Sequence, residues 1–214
     1  MSLVKKGETR FLLKRVFSRI NSEKSAYVLK LDTTKPIKKV RAFVDISLRI
    51  LKQEDNVFFK EDDDNIALIN QLKDGYVAVT KDGNPCFRVW VMDSSQNAKI
   101  QQFFKSSYPI LKQDEVLMES AFAIPKYRGL GVMPLAVSEI ATLFKSKGKN
   151  TIITIAPTDN INSIKALYYL GFKPQGIRTE RFFMFRKSVT FEDISPILYE
   201  RFNTIVKPRK RQPK

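Results

Sequence analysis

The sequence predicts an α/β fold with a mixed central sheet, and two observations carry that expectation. "YVAVT" (76–80) and "CFRVWVM" (86–92) are β-rich runs on either side of "KDGNP", whose Asp82-Gly83 pair has turn chemistry, so they form an antiparallel hairpin. Further along, "EVLMESAFAI" (115–124), the glycine stretch "KYRGLGV" (126–132), a segment of helical period and "NTIITIAP" (150–157) follow one another. Strand, turn, helix, strand is the order of a right-handed crossover between parallel neighbours.

Each element has its own local signal. Pro125 ends the hydrogen-bond ladder of the strand before the glycines, because proline has no N–H to donate. Met133, Ala136, Val137, Ile140 and Phe144 recur at helical spacing, and Pro134 is tolerated only in a first turn, so that helix starts within the glycine stretch. "NAKIQQFFKSSY" (97–108) is a short helix or connector, and "TDNINSIKALYYLGF" (158–172) a capped helix ending at Gly171. "RFFMFRK" (181–187) is the centre of a β-rich segment, and "FEDISPILYERFNTIV" (191–206) a C-terminal helix or broken helix. Toward the N-terminus, "RFLLKRVFSRI" (10–20) has the spacing of a basic amphipathic helix, "SAYVLKLD" (25–32) reads as a strand and "VRAFVDISLRIL" (40–51) mixes both periods.

These signals divide the 214 residues into a basic N-terminal segment (1–73), packed extension or small subdomain, a core (74–188), a C-terminal helical extension (189–206) and a basic tail (207–214). The formal charge of +16 is concentrated at both ends: the first 60 residues carry 15 Lys or Arg against 6 Asp or Glu. The last 14 residues carry 6 basic side chains and no acidic one. Such a field attracts nucleic acid, an anionic membrane or an acidic protein without selecting among them, and the tail reads either as a solvated end or as an electrostatic contact. Acidic residues 61–64 lack the spaced ligands and glycine of a calcium loop and read as solvated.

Composition removes several chemistries. With no histidine and the single cysteine Cys86, the usual zinc, haem-thiolate and iron–sulfur ligand sets are excluded, as are His-based triads and a Cys-His acyl-enzyme. No run approaches the roughly 20 apolar residues of a membrane span, and no signal-peptide pattern opens the chain. A reducing, cytoplasmic location is the expectation. The glycine stretch has no Gly-Lys-Ser/Thr and no third glycine, so it matches neither a P-loop nor a Rossmann fingerprint. Trp90, Phe182, Phe183 and Phe185 have strand-like surroundings and read as core or groove lining, and Met118 and Met133 need no cofactor.

What a glycine turn opening a helix does offer is a set of unobstructed N–H groups beside a positive dipole end, a cradle for pyrophosphate or simply a tight turn. Taken with its surroundings, "IPKYRGLGV", followed by helix, strand and "APTDNINSIKALYYLGF", resembles the GCN5-related N-acetyltransferase (GNAT) superfamily. The likeness spans roughly residues 116–172. It implies a mixed, mostly antiparallel central sheet with a splayed parallel strand pair and flanking helices, and an acetyl-CoA cosubstrate. Lys126, Tyr127, Arg128, Gly129, Leu130 and Gly131 match the pyrophosphate motif, with amides from Arg128 through Val132 and Met133 receiving the phosphates. The backbone near Phe122, Ala123 and Ile124 would pair with the pantetheine arm, while Asn160 and Ser163 match the second landmark before Gly171-Phe172.

The activity so implied is direct transfer of an acetyl group to a primary amine of a small molecule or protein. Direct transfer needs a neutral amine, a stabilised oxyanion and a proton for the departing thiolate. Glu119 is the nearest carboxylate to serve as base, or else an edge residue facing solvent; Asp159 is a further candidate or a helix cap. The family's tyrosine position falls on Leu167, and Tyr168 is taken as the acid despite the rotation of about 100° that one helical residue brings. Two other readings stand beside this one: a GNAT-fold interaction protein without turnover, and a basic nucleic-acid-binding protein.

Overall fold

The computed structural model describes residues 20–65 and 75–207, with side chains given outside 60–65. The amphipathic segment 10–19, residues 66–74 and the tail from 208 lie outside the described residues.

Eight strands form one sheet: β1 (Asn21–Asp32), β2 (Ile46–Ile50), β3 (Gly75–Thr80), β4 (Pro85–Asp93), β5 (Glu115–Ala123), β6 (Thr151–Pro157), β7 (Lys173–Phe183) and β8 (Arg186–Asp193). Their order across the sheet is β2-β3-β4-β5-β6-β1-β7-β8. Only β5 and β6 run parallel; the other neighbours are antiparallel. The sheet is thus mixed and mostly antiparallel with one parallel pair, as the sequence predicts. Strands β1 and β2 come from the basic N-terminal segment, and β1 is hydrogen-bonded on both sides, to β6 and to β7.

Among the described residues four α-helices cover the faces: α1 (Asn97–Phe104), α2 (Val132–Ser146), α3 (Ile161–Tyr169) and α4 (Pro196–Val206). The larger core joins Tyr27, Val89, Val116 and Met118 of the sheet to Val137, Ile140 and Phe144 of α2, Ile164 of α3 and Phe202 of α4. The period of 3.6 gives α2 one apolar stripe, which is why its buried positions are those the sequence singles out. On the opposite face α1 packs Ile100 against Trp90, Leu117 and Ile153. Ser195 caps α4 by accepting the Leu198 N–H, with Pro196 at its first position.

The run "RFFMFRK" does lie at the centre of a β-rich segment, and within it the chain reverses at Met184 and Phe185, which hold φ of 45° and 64° between β7 and β8. Two residues at positive φ make the turn that matches strand twist, but this tight hairpin lacks the Asn-Gly or Asp-Gly signal that marks such turns in sequence. "FED" of the expected C-terminal helix accordingly completes β8.

The connector between β1 and β2 contains no helix and is stitched along α2. Ser138 Oγ donates to the Lys38 carbonyl at 2.8 Å, and Lys145 Nζ to those of Thr34 and Lys35 at 3.1 and 2.8 Å. At the other end of α2 the Phe43 N–H donates to the Leu130 carbonyl at 2.8 Å. The connector therefore fixes the position of the glycine turn.

Candidate active site

Strands β5 and β6 pair from Glu115–Thr151 to Met118–Thr154 and no further. Two causes hold them apart beyond that point. Strand β6 stays paired with β1 as far as Pro157, while β5 follows β4 through a bulge in which Ser120 and Ala121 lie opposite Val89 alone. Ser120 takes φ of 53°, a left-handed backbone that one class of bulge uses. A cleft opens between the strand ends.

Alternation decides which backbone groups of β5 face it. Ile124 N–H donates to the Cys86 carbonyl at 3.0 Å, so Ile124 and, two residues back, Phe122 direct their groups toward β4. The Ile124 carbonyl also accepts the Tyr127 N–H. Of the three residues predicted along the pantetheine arm, Ala123 is the one whose N–H and C=O turn to the cleft, and its carbonyl accepts from Arg128 Nε at 2.9 Å.

From Ile124 the chain makes a single 3₁₀ turn (Pro125–Tyr127) and enters α2 through two glycines at φ of 77°. Gly131 is the N-cap and has no side chain to accept a helix amide. The amides of Gly129, Gly131, Val132 and Met133 have no backbone acceptor among the described residues. Pro134 occupies the third helical position, so the four donors cluster at the turn itself. The two glycines differ. A Cβ on Gly131 would lie 2.9 Å from the Arg41 carbonyl oxygen and 3.1 Å from Ala42 Cα, whereas one on Gly129 would meet nothing within 4 Å. Gly131 is needed for close approach of the connector; Gly129 keeps a space open. Exposed Lys126, Arg128 and Arg41 surround the turn. Lys126 Nζ lies 4.8 Å from the Tyr127 ring and the Arg128 guanidinium 5.4 Å from that of Phe122. Val132 is buried, while Leu130 and Met133 pack on the core, so Val132 and Met133 offer the turn only their amides, and the Leu130 amide donates to the Tyr127 carbonyl. Donors, dipole and cations all favour a phosphate-bearing ligand here.

Glu119 stands where β5 and β6 part, on the sheet face covered by α1. It is half-buried, and burial raises its carboxyl above the ordinary glutamate value, against a hydrogen bond from Tyr108 and the charge of Arg178. The same burial, with the Glu119 charge, pushes the Tyr108 phenol well above its usual value. Arg178 of β7 lies over the Tyr108 ring at 5.5 Å, donates to the Ser107 carbonyl at 3.3 Å and pairs with Glu180 at 3.2 Å. Lys187 of β8 reaches the same Glu180 at 3.2 Å and Ser107 Oγ at 3.1 Å. A carboxylate with a raised value, hydrogen-bonded by a phenol and facing the charge of a guanidinium, has the chemistry of a proton acceptor.

The remaining predicted residues are placed as follows. Asn160, not Asp159, caps α3, its side chain accepting the Ser163 N–H at 3.3 Å. Tyr168 packs on the opposite face of the sheet from Tyr108 and Glu119, its ring edge-on to Phe202 at 5.9 Å with Lys173 Nζ over it at 4.5 Å. Leu167 is buried beneath it. The Cys86 thiol is buried and pushed up to about 11, so it stays protonated and is no nucleophile at neutral pH. Tyr108 and Arg178 carried no sequence signal.

No family profile and no curated protein matches the sequence. Solved structures do match in fold. The GCN5-related glucosamine N-acetyltransferase region of a fungal multi-domain GH3 β-N-acetylglucosaminidase aligns with TM-score 0.54 at 11% identity, over 84% of this chain and 23% of that one. An acetyltransferase of the GNAT family from Colwellia psychrerythraea gives TM-score 0.53 at 15% identity, over 89% and 64% of the two chains. A GCN5-related N-acetyltransferase from Sphaerobacter thermophilus gives 0.52 at 9%, over 88% and 58%. The chain spans less than two thirds of the length of each of these structures. At such identities the likeness is one of architecture, and the architecture is the GNAT fold.

Proposed function

We propose that this protein is a GNAT-superfamily N-acetyltransferase that moves an acetyl group directly from acetyl-CoA to a primary amine of a small molecule or protein. One observation carries the reading: four acceptor-free amides at the start of α2 stand beside the end of β5, where that strand has separated from β6. An extended ligand with a diphosphate at one end and amides along its length suits both features. Gly129, Gly131, Val132 and Met133 would hold the diphosphate through N–H groups, with Lys126 and Arg128 adding charge, and Ala123 would pair with the arm.

In this reading Glu119 receives the proton of the incoming ammonium, directly or through water, and leaves a neutral amine to attack the thioester carbonyl; the tetrahedral adduct then breaks its C–S bond, and the departing CoA thiolate takes, through solvent, the second proton lost by the new amide nitrogen. Tyr108 orients the carboxylate and limits the rise in its proton affinity. Arg178, shared between Ser107 and Glu180, fixes the Tyr108 ring. Asn160 and Ser163 shape the end of β6 through the α3 cap.

Calorimetric titration with acetyl-CoA, followed by mass detection of products from an amine and peptide panel, tests the proposal. Saturable binding with acetylated product is expected; absence of binding overturns it. The packing of Tyr168 against Phe202 favours a second reading, a GNAT-fold interaction protein without turnover. Binding of acetyl-CoA with no product across the panel would select that one.

A further inference from the structure

Strand β8 forms one edge of the sheet and pairs with β7 without a register break from Arg186 to Asp193. Edge strands are ordinarily blunted by proline, a bulge, brevity or charged side chains, and charge is the one such device that β8 carries. "RKSVTFED" has no proline, no bulge and eight residues, and nothing among the described residues hydrogen-bonds its outer side. Seven of the eight residues are exposed.

The order of charge along this edge identifies what fits it. Arg186 and Lys187 open the strand and Glu192 and Asp193 close it, so an antiparallel copy meets opposite charge at both ends and a parallel copy meets like charge. Backbone alternation agrees. The two-residue turn at Met184-Phe185 makes Phe183 and Arg186 the first bonded pair, so Arg186, Ser188, Thr190 and Glu192 bond β7. Lys187, Val189, Phe191 and Asp193 then point their N–H and C=O outward.

We infer that β8 is a homodimerisation edge, pairing antiparallel with β8 of a second copy about a two-fold axis through Val189 and extending the sheet across the dimer. In this register Arg186 stands opposite Glu192 of the second copy and Ser188 opposite Thr190, each twice, at the non-bonded positions where facing side chains come closest. Neither Arg186 nor Glu192 has an ion-pair partner among the described residues of its own chain.

Sedimentation equilibrium of the full chain, from about 1 to about 100 μM, is expected to show a monomer–dimer equilibrium. Arg186→Glu or Glu192→Arg alone sets like charges opposite at both ends and raises the dissociation constant about tenfold. The two reversals in one chain restore complementarity and return it to within about twofold of wild type. Added salt weakens the wild-type dimer. Circular dichroism and thermal unfolding at the lowest concentration check that each variant is folded. A monomer throughout, a dimer indifferent to the single reversals, or a double variant that fails to recover overturns the inference.

Discussion

The two ends of the cleft are built from different materials. The glycine turn at the start of α2 is made of backbone from one continuous stretch, Lys126 to Met133, whereas the Glu119 cluster is made of side chains from the loop before β5, from β5 itself and from the β7–β8 hairpin. A backbone site tolerates change in most of its side chains and fails at the positions where only glycine fits. A side-chain cluster fails at each member by a different amount.

The largest expected effect lies at the side-chain end. Glu119→Gln should lower kcat/KM by about 10²- to 10⁴-fold with acetyl-CoA affinity unchanged, read by steady-state kinetics and calorimetry. The same variant has a stability signature. Burial raises the folded value of Glu119 above its unfolded one, so the contribution of this one group to stability is fully present below the ordinary glutamate range and is lost as pH rises through the raised folded value. Thermal unfolding against pH should lose that decline in the Gln variant.

The glycines give the next effect and separate two causes within one turn. Gly131→Ala forces a Cβ against the Arg41 carbonyl in left-handed backbone, and should cost about 3 kcal/mol of stability together with acetyl-CoA affinity. Gly129→Ala meets only the left-handed cost, about 1 kcal/mol. Denaturant unfolding measures both; equal losses would show that the connector does not press on the turn. Tyr108→Phe should act on pH dependence more than on rate. Its hydroxyl lowers the proton affinity of Glu119, so the rising limb of the pH–rate profile should move to higher pH. Tyr168→Phe should have the smallest effect, within about twofold in rate, because its ring packs against Phe202. A hundredfold loss would instead make that hydroxyl the acid.

How legible each region was follows from this construction. The β3–β4 hairpin, the glycine turn and the helix after it have contiguous signals, Asp82-Gly83 and Pro134 among them, and they stand where those signals put them. Glu119 was visible as the carboxylate on the strand before the turn. Tyr108 and Arg178 were not, because tertiary pairing of β1 with β7 and packing of the α1–β5 loop bring them to Glu119, and no local spacing encodes either. Strand β1 shows the same limit: its alternation marks a strand, yet nothing in "SAYVLKLD" reveals that it lies between β6 and β7.

The bulge at Ser120 has one more consequence. It places two residues of β5 against one of β4, so it acts as a counting error that the fold preserves. Delete that single residue and β5 pairs one-to-one with β4: Phe122 stays opposite Arg88 and keeps its place in the small cluster with Phe59 and Val77, the extra local twist is lost, and the backbone groups on the cleft side become able to close against β6. One surplus amino acid thus acts as a wedge beside the pull of β1 on β6, and its loss would let the cleft narrow toward an unbroken sheet.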